Sequence, residues 1–450
     1  MLAIRRHLVL LPFRASLFAE RQPTLGTAER HTLYKMCDFA RSKLAVMAEA
    51  TPHVGSRVRY WRLRRNLGRK QFADMVGRST SWLDKVEKGE RELTRLPLLE
   101  RVADALGVDP AALTDSIQAA RTAQCVDAAE VQAIRSALGR YPGLSARDSG
   151  RVGVVGIQRQ AAYLDQAWLS SHFAVVARHL PQLMDDAQRA VLVTTAAEQV
   201  AAYRVLVTTY RLASSMLLKF EANDVAWLAA DRAMHTALRI DDTWSLARAT
   251  RSVARAMTST GQRDEAIATS LDMADRMHDE TNRNEQELLS LYGMLYLSAS
   301  ITAAGQDDAR LARDMHDEAM AAALRLQPHH RTHQTFFGLT NVLIHRVSAL
   351  VRLHEAGRAL EFAATIDPAT VAALSAERQA NYLLDLTEAN TQAGRYREAV
   401  RLLGRAELVA PEEVRCRPLA HGLLRSLLHN TTGEPARMVK RMADRAGVTA

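Results

Sequence analysis

The chain has 450 residues, more than a single hydrophobic core holds, and its make-up of 48% hydrophobic and 24% charged residues, with twelve prolines and little Val/Thr alternation, reads as globular and not all-β. No stretch approaches the ~18 unbroken apolar residues of a membrane span, and three scattered cysteines (Cys37, Cys125, Cys416) exclude a disulfide scaffold and a CxxC metal knuckle and fit a reducing cytoplasm. The net charge of +9 is concentrated at one end, with +4 over residues 1–50, +6 over 51–104 and −1 over the rest, the pattern of a polyanion-binding head on a neutral body.

Residues 1–50 open with Arg5 and Arg6 ahead of an apolar run from Leu8. Pro12 and Arg14 break that run, which is short for a secretory core, and no small-x-small cleavage site follows. The segment reads as a leader, disordered or weakly helical, or as an artefact of the start site, with Met36 and Met47 as alternative starts.

Residues 55–115 carry the specific signal. SRVRYWRLRRNL predicts an amphipathic helix with a basic outer face, Val58, Trp61 and Leu63 being its apolar positions. RKQFADMV predicts a second helix and TSWLDKVEKG a third, capped by Gly89. RLPLLERVADALG predicts a fourth, and Asp109 and Pro110 start a short fifth. Counted from Arg69, Ala73 is fifth, Gly77 ninth, Leu83 fifteenth and Val86 eighteenth. A helix-turn-helix needs a small residue at the first of these places, a left-handed turn at the second and core-facing residues at the last two.

With those residues in place, the stretch resembles the Cro/C1-type (Xre) DNA-binding domains of bacteria and phages, actinobacterial members in particular. SWLDKVEKGER is similar to that family's recognition helix and its Glu-x-Gly exit at Glu87 and Gly89. The resemblance implies roles. Ser79 caps the recognition helix and meets a phosphate, and Thr80, Ser81 and Lys85 reach base edges. Arg69 clamps a phosphate where the family usually carries Gln, and Arg78 and Lys88 touch backbone. Trp82 and Asp84 depart from the pattern; Asp84 either selects cytosine amino groups or pairs with Lys85 or Lys88. Arg62 and Arg65 complete the expected basic cluster.

Residues 116–159 read as a linker with a short helix near Asp127–Leu138 and a glycine-rich hinge; GRVGVVG lacks the GK[ST] of a phosphate loop. From about Gln160 to 447 the pattern is helical, with breaks near Asn223, Gly261, Gly305, Gly357 and Gly394. This spacing suggests stacked helix pairs. Gly394, Tyr396, Ala399, Leu403, Ala406 and Pro411 occupy the places that define a tetratricopeptide repeat, and TGQRDEAIATSLDMADRM and VAWLAADRAM repeat parts of it. The body thus resembles tetratricopeptide-type solenoids. Over 55–447 the chain resembles actinobacterial Xre regulators with such a C-terminal domain.

Solenoids bind on faces lined by the first helix of each pair. Arg248, Arg251 and Arg255 share one helical face, as do Asn381, Asp385, Glu388 and Gln392. These grip a peptide or small polar ligand, or form a solvated face. Asn341, His345, Ser348 and Arg352 form a polar stripe on an apolar helix, read as ligand contact or as an inter-helix hydrogen bond. His329 and His333 in HHRTH lack a third ligand, and no metal site is assigned.

No nucleophile elbow, zinc motif, carboxylate pair or nucleotide loop is present, so neither an enzyme nor a cofactor is expected. The leading reading is an all-α, cytoplasmic, nucleoid-associated transcription regulator. Its Cro/C1-type head binds double-stranded operator DNA, an inverted repeat, as a homodimer. Its body senses a peptide or small-molecule effector, an arrangement similar to peptide pheromone receptors. The alternative is a non-sensory adaptor whose repeats dock a protein partner and whose groove exposes apolar anchors.

Overall fold

The computed structural model describes residues 53–91, 93, 96–108, 110, 113, 126, 128–144, 153–282, 286–326 and 337–449. The leader, the cap expected at Asp109, and His329 and His333 lie outside the described residues. Among the described residues there are 21 α-helices and no strand. None of these helices is long and apolar enough to cross a membrane. The chain divides into two compact units, residues 1–116 and 117–450.

In the first unit α1 is Val54–Arg64, α2 Arg69–Val76, α3 Thr80–Glu87 and α4 Leu96–Leu106. Phe72, Ala73 and Val76 of α2 and Leu83 and Val86 of α3 are buried with Val58, Trp61, Val102 and Leu106. The α2–α3 turn has Gly77 in the left-handed region (φ 69°), where a Cβ would be strained. Helices α1 and α3 touch where Gly55 leaves room: a Cβ there would lie 1.6 Å from the Val86 carbonyl oxygen. The basic outer face expected of α1 is not what forms. Leu63 is 57% exposed, whereas Arg57, Arg62 and Arg64 are buried. Each arginine finds a partner inside the domain. Arg57 donates to the Leu113 carbonyl at 2.8 Å. Arg64 reaches the Tyr60 hydroxyl at 3.2 Å. Arg65 caps the end of α4 through the Leu106 carbonyl at 2.8 Å.

The second unit begins with α5 (Ala128–Leu138) and the 3-10 turn Pro142–Leu144. Seven helix pairs follow: α6 (Val154–Leu169) with α7 (Phe173–Val193), α8 (Ala196–Lys219) with α9 (Asn223–Leu238), α10 (Thr243–Ser259) with α11 (Arg263–Asn282), and α12 (Gln286–Ala304) with α13 (Ala309–Leu324). The others are α14 (Leu339–Arg352) with α15 (Ala356–Ala363), α17 (Ala376–Gln392) with α18 (Tyr396–Val409), and α20 (Pro418–Asn430) with α21 (Gly433–Ala446). Short helices α16 (Pro368–Ala372) and α19 (Pro411–Arg415) join pairs. The stretch expected to be a linker differs from that expectation: α5 packs on α7, and the glycine-rich hinge runs into α6, which starts before Gln160. Val154, Ile157 and Ala161 give α6 a buried face, which its flanking glycines obscure in the sequence.

The first six pairs share one turn. Two residues past the first helix, or three after α12, the chain adopts a left-handed φ, at Ser171, Glu221, Gly261, Asp307, His354 and Gly394. In each, the next amide reaches back five residues to a carbonyl, as from Ala222 to Leu217 at 2.9 Å and from Arg395 to Asn390 at 2.7 Å. Gly357, expected at a break, lies inside α15, and His354 makes the turn instead. Small residues let paired helices approach: Ala266 and Ala399 are fully buried.

Candidate nucleic-acid interface and cationic cavity

The first helices of the seven pairs enclose a cavity of about 570 Å3. Trp168 comes from α6, Arg211 and Lys219 from α8, and Arg251 and Arg255 from α10. Helix α12 adds Met294, Leu297 and Ile301 together with Ser298 and Thr302, and no charge. His345, Ser348 and Arg352 come from α14 and Arg378, Asn381 and Asp385 from α17; Arg417 and Leu419 stand at the start of α20. The array closes on itself. Helix α6 packs against α17, the Ser171 hydroxyl donates to Glu413 at 3.3 Å and the Ala174 amide donates to Glu412 at 2.9 Å. Lys219 fastens this seam. Its ammonium donates to Glu377 at 3.1 Å and to Glu413, with the Phe173 ring 4.4 Å away. Burial lowers the Lys219 pKa, opposed by Glu377 and Glu413.

The carboxylates around the cavity are all engaged. Asp165 accepts from Arg211 at 2.8 Å and lies 3.9 Å from Arg248. Glu377 serves Lys219 and Arg378, the latter at 3.5 Å. Glu413 takes Lys219 and Arg417, the latter at 2.6 Å. Asp385 accepts from the Ser348 hydroxyl and feels Arg352; burial nonetheless pushes its pKa up to about 6. Arg255 donates to the Ser215 hydroxyl at 3.3 Å. The Nε of Arg251 is buried with no hydrogen-bond partner among the described residues. Burial, then Arg255, Arg378 and Arg211, press the Arg251 pKa well down. Burial and then Arg378 hold His345 at about 3, so its imidazole is neutral. Its Nδ1 lies 2.7 Å from the Asn341 carbonyl, which can only accept. Nδ1 therefore carries the proton and Nε2 is an acceptor.

In the first unit α3 presents a polar face. Ser79 is its N-cap, and its Oγ accepts from the Trp82 amide at 3.1 Å, leaving the hydroxyl proton for an outside acceptor. Arg78, Thr80, Ser81, Lys85 and Lys88 are exposed around it. A concave patch beside the helix start is lined by Asp74, Arg78, Ser79, Trp82 and Arg91. Arg91 is exposed there and was not singled out from sequence, because it falls beyond the third helix. Other charges near α3 pair with one another. Arg62 clamps Glu87 through two hydrogen bonds of 2.5 and 3.0 Å and also donates to the Leu67 carbonyl. Arg69 lies 3.3 Å from Asp84 and 3.7 Å from Glu87. Asp84 thus pairs with Arg69 rather than with Lys85 or Lys88.

Residues 53–115 match the family model of a helix-turn-helix domain. No curated protein and no solved structure matches the chain.

The helix-turn-helix domain gathers Arg78, Ser79, Thr80, Ser81, Lys85 and Lys88 on α3 and its flanks, while Arg69 is held beside Asp84. Arg62 cannot reach a phosphate, because it is buried on Glu87. In the second unit, five expected residues line one cavity: Arg251, Arg255, His345, Asn381 and Asp385. Two do not. Arg248 lies behind the wall, stacked 4.3 Å over the Trp244 ring. Asn341 is fully buried, its amide nitrogen 3.6 Å from the Met294 sulfur. The first helices bring Asp165, Arg211, Lys219 and Arg417 to the same place; the sequence does not show them together because they come from α6, α8 and the start of α20 and share no helical-face pattern with the other lining residues. Among the described residues no cluster of three metal-ligating side chains occurs.

Proposed function

We propose that this chain is a non-enzymatic, sequence-specific transcription regulator of the Cro/C1 (Xre) type, working on DNA in the cytoplasm. The carrying observation is α3, with Leu83 and Val86 in the core and Ser79, Thr80, Ser81 and Lys85 facing outward on a helix-turn-helix domain. Lys85, Thr80 and Ser81 read base edges, while Arg78, Ser79, Lys88 and Arg91 hold phosphates. Two copies act as a homodimer on an inverted repeat. The body is a tetratricopeptide-like solenoid that senses an effector in its cavity. Repeated helix pairs, buried Ala266 and Ala399, and left-handed Gly261 and Gly394 support that reading. The effector favours one placement of the two heads and so one affinity for operator. The adaptor alternative calls for apolar anchors in the groove; the cavity wall instead carries eight Lys and Arg side chains, which favours sensing.

Selection of bound fragments from genomic DNA, with purified full-length protein and sequencing of what is retained, tests this. The expected result is an inverted repeat with half-sites about one or two helical turns apart. Lys85→Ala should relax the preference inside each half-site, and Lys88→Ala should weaken binding evenly across sequences. Retention that vanishes with salt and carries no motif overturns the regulator reading.

A further inference from the structure

We propose that the effector is an amphiphilic anion, with one phosphate, sulfonate or carboxylate group seated at Arg251 and Arg255 and an apolar part against Met294, Leu297 and Ile301. This rests on the reading of the body as a sensor and gives it a ligand class. The argument is one of charge and chemistry. Arg251 and Arg255 lie one turn apart on α10 and both line the cavity. Among the described residues neither has a carboxylate within ion-pair distance, Glu377 attracts both only from further off, and the Arg251 Nε has no hydrogen-bond partner. Every carboxylate nearby is already claimed by another cation or by Ser348. A partly buried guanidinium without a close counter-charge is costly, so the site gains from an incoming anion. The planar fork of each arginine suits two oxygens of one acid group.

The rest of the cavity narrows the ligand further. The α12 wall offers no charge, and its Met294, Leu297 and Ile301 side chains beside the hydroxyls of Ser298 and Thr302 suit a largely apolar part beyond the acid group. His345 Nε2 is an acceptor, which suits a single hydroxyl or amide donor on that part. The space of about 570 Å3 lies in the ordinary range for a small-molecule site. A free peptide is less suited, because its ammonium would need a carboxylate and only Asp385, held by Ser348 beside Arg352, faces the cavity without its own salt bridge.

The test uses the full chain and two fluorescent probes with closely similar aromatic bodies. 8-Anilinonaphthalene-1-sulfonate carries a sulfonate, and N-phenyl-1-naphthylamine carries none. The expected result is saturable binding of one sulfonate probe per chain, about tenfold tighter than the neutral probe. Arg251→Gln and Arg255→Gln should each lose about tenfold for the sulfonate probe and leave the neutral probe unchanged. Arg251→Lys should keep most of the affinity. Arg310→Gln removes the same charge from a side chain that is 92% exposed outside the cavity, and should change nothing. Circular dichroism on every variant separates loss of binding from loss of fold. Decyl phosphate or decanoate should displace the probe where decanol does not, and the stronger of the two identifies the acid group. Equal affinity for both probes, displacement by decanol, or unaltered sulfonate binding in a folded Arg251→Gln/Arg255→Gln double variant overturns the proposal. None of those outcomes touches the DNA selection. A charge-dependent site whose occupation leaves operator binding unchanged would instead refute sensing.

Discussion

Glu87→Gln puts the helix-turn-helix domain to a direct energetic test. Arg62 and Glu87 are 5% and 3% exposed and joined by hydrogen bonds of 2.5 and 3.0 Å. Glutamine keeps the shape and one acceptor but leaves the guanidinium buried without its counter-charge. Breaking a buried pair from one side costs about 3–5 kcal/mol. A domain of this size is stable by roughly 3–9 kcal/mol at ordinary values per residue. The variant should therefore lose a third or more of the domain's stability. Native-state hydrogen exchange on the full chain, read over peptides from α1 and α3, measures the loss while the body serves as an internal control. Arg62→Met with Glu87→Leu removes both charges and should recover most of it, by about 2 kcal/mol or more. If Glu87→Gln exchanges within about 0.5 kcal/mol of the wild type in those helices, the pair is not what holds α1 to α3 and the reasoning fails.

Asp84→Asn should release Arg69 for a phosphate. Both partners are about half exposed, so stability should shift by less than about 0.5 kcal/mol, while filter binding to duplex DNA should tighten and its salt dependence steepen by about one counterion. An unchanged slope counts against Arg69 as a latent phosphate contact. Glu221→Gly relieves a left-handed φ of 60° in an exposed turn and should stabilise the body by about 0.5–1 kcal/mol, seen by calorimetry as a rise of about 1–3 °C. A lower midpoint would show that the glutamate makes up its backbone cost elsewhere. Asp385 is pushed up to about 6 by burial, from 3.8. The folded chain therefore binds more protons than the unfolded one between those values, and this group's contribution falls as pH rises from about 4 to 6. Asp385→Asn should gain about 1–2 kcal/mol on the wild type at pH 7.5, and the gain should shrink towards pH 4.5; a gain independent of pH would contradict the assignment.

The parts of the molecule that could be read from sequence are those set by neighbours in the chain. Ala73, Gly77, Leu83 and Val86 lie within one helix-turn-helix, and spacing alone places them. The arginines of α1 were misread as a solvent face because their partners lie far along the chain, at Glu87, Leu106 and Leu113. The sequence marks the body's turns by a glycine or a polar break, near Asn223, Gly261, Gly305, Gly357 and Gly394, but four of the six left-handed positions are Ser171, Glu221, Asp307 and His354, where a helix can end when an amide reaching back five residues supports it. The cavity was half visible. Arg251 with Arg255, and Asn381 with Asp385, share helical faces, whereas Lys219 and Arg417 meet them only through closure of the array. Asn341 failed for a simple reason. The stripe drifts around α14, so His345, Ser348 and Arg352 reach the cavity while Asn341, a turn earlier, turns into the core against Met294.

The Lys219 seam also sets an order of events during synthesis. Its carboxylate partners Glu377 and Glu413 lie 158 and 194 residues further along the chain. At ordinary elongation rates they emerge about 10–40 s after the lysine. Until then the ammonium beside Phe173 and Trp168 has no counter-charge there, and the early helix pairs stack without a closed seam. The helix-turn-helix domain, made first from local contacts, is complete long before the cavity is. A chain cut short ahead of Glu377 would carry a finished first unit on a body unable to shut, so its first unit could fold where its cavity could not.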